Sequence, residues 1–362
     1  MGGKIARAFL LSVSILPALA AGTGDAALET PLPEPAFEIE PSRSDAGRPV
    51  RPQRDDYDGP IVDTHVHLDP PSSGQIEDSP LEQILRAAET AGVAHLYFMP
   101  TPNEGRFRHH EVGASQKLRL KELGGDKVGV LCGGNYLTYW MHGAFKSGYS
   151  ESDLQNVIER LSEDISSGHC AGIGEIGLFH FNKSGHQAVI ENGPGFAPFL
   201  AVVETAAANG TWLDLHAEPV EPNGKSRAEE VFGGLALWFA RFPKLKLILS
   251  HTAMTNPTNA RRILEAYPGV MMNLKFTRNR GHWRHLGPIA NSDGILYEDW
   301  ARLMEAMPER FMVGSDAKFG RHRFPTSKYA KEIKRFRRLL GSLDPEAAHR
   351  IAQGNAMRVF AP

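Results

Sequence analysis

Residues 61–68 read Ile61-Val62-Asp63-Thr64-His65-Val66-His67-Leu68, and this octet decides the fold. Its β-branched and apolar residues predict a strand over Ile61–His67. Side chains alternate along a strand, so His65 and His67 share one face while Val62, Thr64, Val66 and Leu68 share the other. In a closed α/β barrel the apolar face is covered by helices, which leaves both imidazoles in the lumen near its C-terminal mouth. Alone, a His-x-His pair is only moderately specific, since two solvent-facing histidines meet this spacing by chance.

Outward from the octet, short apolar runs alternate with longer amphipathic segments, the pattern of βα units around a parallel sheet. The further strands read Val93–Pro100, Lys127–Gly133, Ala171–Ile176, Thr211–His216, Leu245–His251, Val270–Phe276 and Phe311–Asp316. The helices read Pro80–Ala91, His110–Leu123, Glu151–Ser167, Pro194–Asn209, Ser226–Phe242, Thr258–Tyr267, Tyr297–Ala306 and Ser327–Leu340. Ser150 and Ser152 offer N-cap oxygens, and Gly92, Gly124, Gly168, Gly210 and Gly341 follow helices where C-cap glycines belong. Right-handed βα units of this number close into a (β/α)8 TIM barrel, an α/β fold. Pro345 to Phe360 adds a C-terminal extra helix with Ile351, Ala352, Ala356, Val359 and Phe360 available for packing.

Four more polar residues end strands of separate units: Glu175 in Gly-Ile-Gly-Glu-Ile-Gly, His216 in Leu-Asp-Leu-His, His251 in Ile-Leu-Ser-His and Asp316 in Val-Gly-Ser-Asp. One buried polar residue at a strand end is often structural. Imidazoles and carboxylates gathered from five strands into one mouth are costly unless a cation compensates them. Neutral imidazole and carboxylate without Cys suit Zn²⁺ or a similar divalent metal. Two arrangements fit. In one, His65, His67 and Asp316 hold a first ion, His216 and His251 a second, and Glu175 bridges them; in the other, His65, His67, His216 and Asp316 hold a single ion and His251 is an acid/base or substrate contact. Glu175 favours two ions, because adjacent dications require an anionic bridge.

Asp63-Thr64-His65-Val66-His67-Leu68, Glu175, His216, His251, Gly314-Ser315-Asp316 and Gly354-Asn355-Ala356-Met357-Arg358-Val359-Phe360 carry a resemblance to the amidohydrolase superfamily. The chain is nearer its amidohydrolase-related (amidohydrolase 2 type) branch than the dihydroorotase or urease branches, over nearly all of residues 61–362. Many binuclear relatives have a carbamylated Lys on strand 4, where this chain has Glu175. Gly174-Glu175-Ile176-Gly177-Leu178 is instead similar to TatD-type metal-dependent nucleases, in which the Glu is a ligand. The resemblance implies a metal-dependent hydrolase in which a metal-bound hydroxide cleaves a small amide, lactone or related ester, with Asp316 as general base and acid. Metal-dependent decarboxylation of a small unsaturated or aromatic acid, TatD-like phosphodiester cleavage and non-catalytic metal or ligand binding remain open. An insert after strand 7 and a long N-terminal extension count against the nuclease. Asp63 and Asp214, in phase with His65 and His216 but deeper, would orient ligands or serve as buried acceptors.

For substrate binding, Lys275 has the best claim, since Met271, Asn273 and Lys275 alternate together toward the lumen; Arg278 in the following basic loop is next. Tyr136, in a loop after strand 3 with Tyr139 and Trp140, could wall a pocket. The plain alternatives are a solvated basic rim and aromatic packing anchors. The expected partner is a small molecule, anionic if the basic loops hold it, and a homo-oligomer is compatible with the sequence.

The chain has 362 residues, 41% hydrophobic and 23% charged, enough for a substantial core. A formal charge of −2 supplies no global argument for nucleic acid. Residues 1–20 read as a signal peptide: Lys4 and Arg7 precede an apolar run from Ala8 to Leu19, too short to span a bilayer comfortably, and Ala18-Leu19-Ala20 offers a cleavage site. The expectation is an exported protein, periplasmic or extracellular, with no membrane contact after cleavage. Residues 21–60, rich in Pro and without apolar period, read as an extended tether, and 61–362 as the catalytic domain. Cys132 and Cys170 are the only thiols. Placed at the end of one strand and the start of the next, they would lie roughly 15 Å apart at about 3.3 Å per residue, beyond the reach of a disulfide, so both are expected to be unpaired.

Overall fold

The computed structural model describes residues 48–52, 54–69, 78–102, 114–181, 189–276, 288–320 and 326–360. In chain order its strands are β1 (Ile61–Asp69), β2 (Val93–Met99), β3 (Val128–Gly133), β4 (Gly172–His180), β5 (Ile190–Glu191), β6 (Trp212–Ala217), β7 (Lys246–Leu249), β8 (Val270–Leu274), β9 (Phe311–Val313) and β10 (Ala317–Gly320). Hydrogen bonding orders them β10-β1-β2-β3-β4-β6-β7-β8-β9, and β5 pairs with β4. All neighbours along that path are parallel; β5 is antiparallel to the end of β4. β9 and β10 are two pieces of one interrupted stave. The ring closes there, with Thr64 Oγ1 donating to Val313 O at 2.8 Å and Asp316 N to His65 O at 2.9 Å.

Around the ring run α1 (Asp78–Thr90), α2 (Ala114–Gly124), α3 (Gly134–Ser147), α4 (Glu151–Ser166), α5 (Ala197–Ala208), α6 (Ala228–Arg241), α7 (Pro257–Ala266), α8 (Glu298–Ala306) and α9 (Thr326–Gly341), followed by α10 (Pro345–His349) and α11 (Asn355–Phe360). Ser150 caps α4 as expected: its Oγ accepts from Asp153 N at 3.1 Å, and the Asp153 side chain returns the bond in a capping box. One apolar core lies between strands and helices. A second fills the lumen floor, where Val62, Met99, Leu131 and Met312 meet Ala356, Val359 and Phe360 of α11. Phe360 stacks on Tyr97 at 4.3 Å between centroids. The C-terminal segment thus plugs the barrel beneath the polar mouth.

The structure corrects several expectations. The register of β1 against β2 is irregular between Asp63 and Val66, so the alternation slips: Val62 joins the lumen core, while Ile61, Val66 and Leu68 face the helices. Asp63 accordingly points outward to α9, where Tyr329 Oη donates to it at 2.9 Å, and not into the lumen below His65. The segment after β3 is a helix, α3, not a loop. Cys132 and Cys170 form a disulfide with Cα atoms 5.7 Å apart. Cys170 precedes β4, and the chain bends at Ala171, so the straight-strand distance did not apply. The described part of 48–60 lies on the barrel surface, which the tether reading allows: Arg51 N donates to Leu296 O, and Arg337 on α9 donates to the carbonyls of Tyr57 and Gly59. Residues 1–47, on which the signal-peptide expectation and most of the tether expectation fall, lie outside the described residues.

Candidate metal centre

Glu175 sits in the middle of β4, and two glycines let other chains approach it. A Cβ on Gly134, at the start of α3, would fall 2.7 Å from both N and O of Glu175; one on Gly174 would fall 2.7 Å from Asp214 Cβ. His251 is placed by a different device. β7 ends at Leu249, and His251, Thr252, Ala253 and Met254 follow with φ of 60°, 57°, 54° and 47°. Such a left-handed turn of non-glycine residues costs about 1–2 kcal/mol per residue, strain that the surrounding packing must hold in place. Asp316, with φ of 52°, occupies the break between β9 and β10.

The six residues converge. Glu175 Oε1 lies 2.8 Å from His216 Nδ1, 3.4 Å from His251 Nε2 and 3.6 Å from His65 Nε2, and Oε2 lies 3.4 Å from His67 Nε2. His65 and His67 bring their Nε2 atoms within 3.2 Å. Asp316 Oδ1 is 2.9 Å from His67 Nε2, and its Oδ2 pairs with Lys275 Nζ. Ligand atoms of His65, His67 and Glu175, of Glu175, His216 and His251, and of His65, His251 and Asp316 each cluster within 4.8 Å.

The electrostatics describe buried carboxylates whose charge is balanced by protons on two of the imidazoles. Burial disfavours the imidazolium of His65, but Glu175 and Asp214 outweigh it and raise the pKa to about 10. His216 is raised against its burial by Glu175 and Glu218. Burial likewise opposes charge on Glu175, yet His65 and His216 hold it well below the usual carboxylate range. Asp316 is held well below that range, against burial, by Lys275 and Lys318. His251 goes the other way, pushed well down by burial and by Lys275. The donor set fits a divalent ion: oxygen and imidazole nitrogen, no thiolate, and a net demand for positive charge. The buried Nδ1 atoms of His67 and His251 find no hydrogen-bond partner among the described residues.

Lys275 therefore lies at the cluster, through Asp316. Tyr136 does not: it is on α3, its ring 3.7 Å beneath the Arg160 guanidinium and its Oη 3.5 Å from Asp164, on the side facing α4. Arg278 lies outside the described residues.

Three supporting residues surround the ligands. Asn273 Oδ1 accepts from His251 N at 2.8 Å, and its Nδ2 lies 3.1 Å from both His65 Nδ1 and Asp214 Oδ2. Asp214 also accepts from Ser250 Oγ, so its in-phase placement with His216 holds. Glu218, absent from the expected set, lies 3.0 Å from His216 Nε2. It is two residues beyond His216, the spacing that links His65 to His67, and that signal could have found it. His180 belongs to β4, with its ring centroid 5.0 Å from that of His216.

A family model described as amidohydrolase matches residues 156–361, a span that includes Glu175, His216, His251 and Asp316. Among curated proteins, none is significantly similar in sequence. Similar solved structures include 4-oxalomesaconate hydratase from Rhodopseudomonas palustris (TM-score 0.51, 15% identity, 83% of this chain and 95% of that one). Others are a mutant organophosphorus hydrolase from Deinococcus radiodurans (0.51, 13%, 84% and 93%) and an uncharacterized TIM-barrel protein from Bordetella bronchiseptica (0.50, 13%, 83% and 98%). At these identities the likeness is one of fold.

Proposed function

The chain belongs to the amidohydrolase family, and from that premise we propose that it is an exported metal-dependent hydrolase of a small, anionic amide, lactone or related ester. One observation carries the reading: a single buried carboxylate, Glu175, lies within 3.6 Å of all four imidazoles. In it, His65, His67 and Asp316 would hold one zinc ion and His216 and His251 a second, with Glu175 available to either. When bound, such ions acidify water and polarise the scissile group.

The chain's own residues do the rest. Asp316, kept ionised beside Lys275 and Lys318, takes a proton from the attacking water and delivers it to the leaving amine or alcohol as the C–N or C–O bond breaks. Lys275 exchanges its contact with Asp316 for the substrate's anionic group, orienting it at the mouth. His251, which burial and Lys275 keep neutral, would offer an unprotonated ring to a metal ion. The Cys132–Cys170 disulfide supports an oxidising compartment and hence export.

The test is metal analysis of the purified protein before and after chelation, with a screen of anionic amides, lactones and esters. Two zinc equivalents and activity lost on chelation and restored by zinc are expected. Failure to take up any divalent ion contradicts the reading, and one ion with release of CO₂ moves it to the decarboxylase.

A further inference from the structure

His216 is held between two carboxylates, with Nδ1 2.8 Å from Glu175 Oε1 and Nε2 3.0 Å from Glu218 Oε1. We propose that Glu218 is a positioning residue of the metal centre: it accepts a hydrogen bond from His216 Nε2–H and so leaves the Nδ1 lone pair, on the side of Glu175, for the ion. The inference rests on the metal-dependent reading above.

A neutral imidazole has one N–H and one lone pair. A fixed anion beside one nitrogen holds the proton there, leaves the other nitrogen for a metal and makes the ring a better donor. Glu218 is built for this. It is fully buried, its Oε2 accepts from Phe181 N at 3.3 Å, and its own N donates to Phe179 O at 3.1 Å. Both contacts tie it to the end of β4 and its continuation, the strand that carries Glu175, so the carboxylate is anchored on one strand while it orients a ligand on β6. The contrast with His67 and His251 is direct, since their Nδ1 atoms meet no partner among the described residues.

A rival use of the same residues exists. His180, His216 and Glu218 bring ligand atoms within 4.8 Å of one another, and an ion there would need the Nε2 lone pair of His216. Positioning and outer ligation therefore demand opposite tautomers.

The test uses zinc-loaded full-length protein with ¹⁵N-labelled histidine. The proton of His216 is expected on Nε2, with the metal-bound shift on Nδ1; a proton on Nδ1, or metal on Nε2, overturns the proposal. In parallel, zinc affinity is measured by chelator competition for wild type and Glu218→Ala, with circular dichroism to establish a native fold. A loss of about 10- to 100-fold is expected for the variant, and unchanged affinity overturns the proposal. Should the variant not fold, the wild-type spectrum still decides. Zinc-binding wild type with an unaffected variant sinks this inference alone, whereas a wild type that binds no zinc sinks the metal reading with it.

Discussion

Asp316 Oδ1 lies 2.9 Å from His67 Nε2, while Lys275 occupies the other carboxylate oxygen. One oxygen thus faces the candidate ligands and the other faces the cation that would meet substrate. Asp316→Asn keeps the shape and removes the proton acceptor. Turnover is expected to fall by about 10²- to 10⁴-fold while the circular dichroism spectrum stays native. Turnover equal to wild type would contradict the role given to Asp316.

Lys275→Met separates two consequences of the same contact. Loss of the substrate's counter-ion should raise KM for anionic substrates far more than for neutral analogues. Loss of the cation beside Asp316 should also let its depressed pKa rise, since a carboxylate next to an ammonium ionises at lower pH than one without it. The acid limb of kcat/KM is therefore expected to move to higher pH. An unshifted limb with unchanged KM would show that Lys275 is only part of a solvated rim.

In metal-stripped protein, Glu175 has the work of neutralising the imidazoles. Folding raises His65 from 6.5 to about 10, so its contribution to stability is complete below the unfolded value and disappears as pH climbs through the folded one. Glu175, depressed by folding, contributes above its unfolded value and loses that contribution on acidification. Both conditions hold near about pH 6. Glu175→Gln should there destabilise the metal-free protein by on the order of 3–5 kcal/mol, and by less near about pH 10. Urea unfolding at the two pH values measures this, and a penalty that grows with pH would reverse the sign and refute the coupling.

His216, His251 and Asp316 were legible because each closes an apolar run, and the i, i+2 spacing of His65 and His67 put both on one face; Glu175 lies inside β4, which runs on to His180. Alternation fails where the backbone does. The irregular register between Asp63 and Val66 sends Asp63 out to Tyr329, and no period-2 reading contains that slip. α3 was hidden by its glycine opening, Gly133-Gly134, although Tyr136, Trp140 and Ala144, like Leu137 and Met141, recur at helical spacing. Glu218 lay just past the end of β6, where the strand reading stopped. Helix α4 was clear because Ser150 supplies a local cap that needs no tertiary context; the return bond comes from Asp153, and Ser152 lies inside the helix.

The Cys132–Cys170 bridge closes a separation of 38 residues between β3 and the approach to β4. Constraining a loop of that length in the unfolded chain is worth up to about 4 kcal/mol. Reduction under native conditions should lower the urea midpoint correspondingly, and thiol titration of unreduced, unfolded protein should find no free thiol. Two free thiols there would restore the unpaired expectation.

The turn after β7 makes a prediction that ordinary packing would not. Ala253 and Ala260 are both buried alanines, but Ala253 has φ of 54° and Ala260 lies inside α7. Each loses a buried methyl on mutation to Gly, about 0.8 kcal/mol. At Ala260 the glycine adds a helix penalty of about 1 kcal/mol. At Ala253 it relieves about 1–2 kcal/mol of left-handed strain, because glycine adopts positive φ freely. Ala260→Gly should therefore cost about 2 kcal/mol, and Ala253→Gly should leave stability unchanged or raise it by up to about 1 kcal/mol. Equal penalties in urea unfolding would refute the strained turn. Ala253→Gly should nonetheless lower turnover, because the strain holds His251 against Glu175 and a glycine hinge two residues away permits other arrangements.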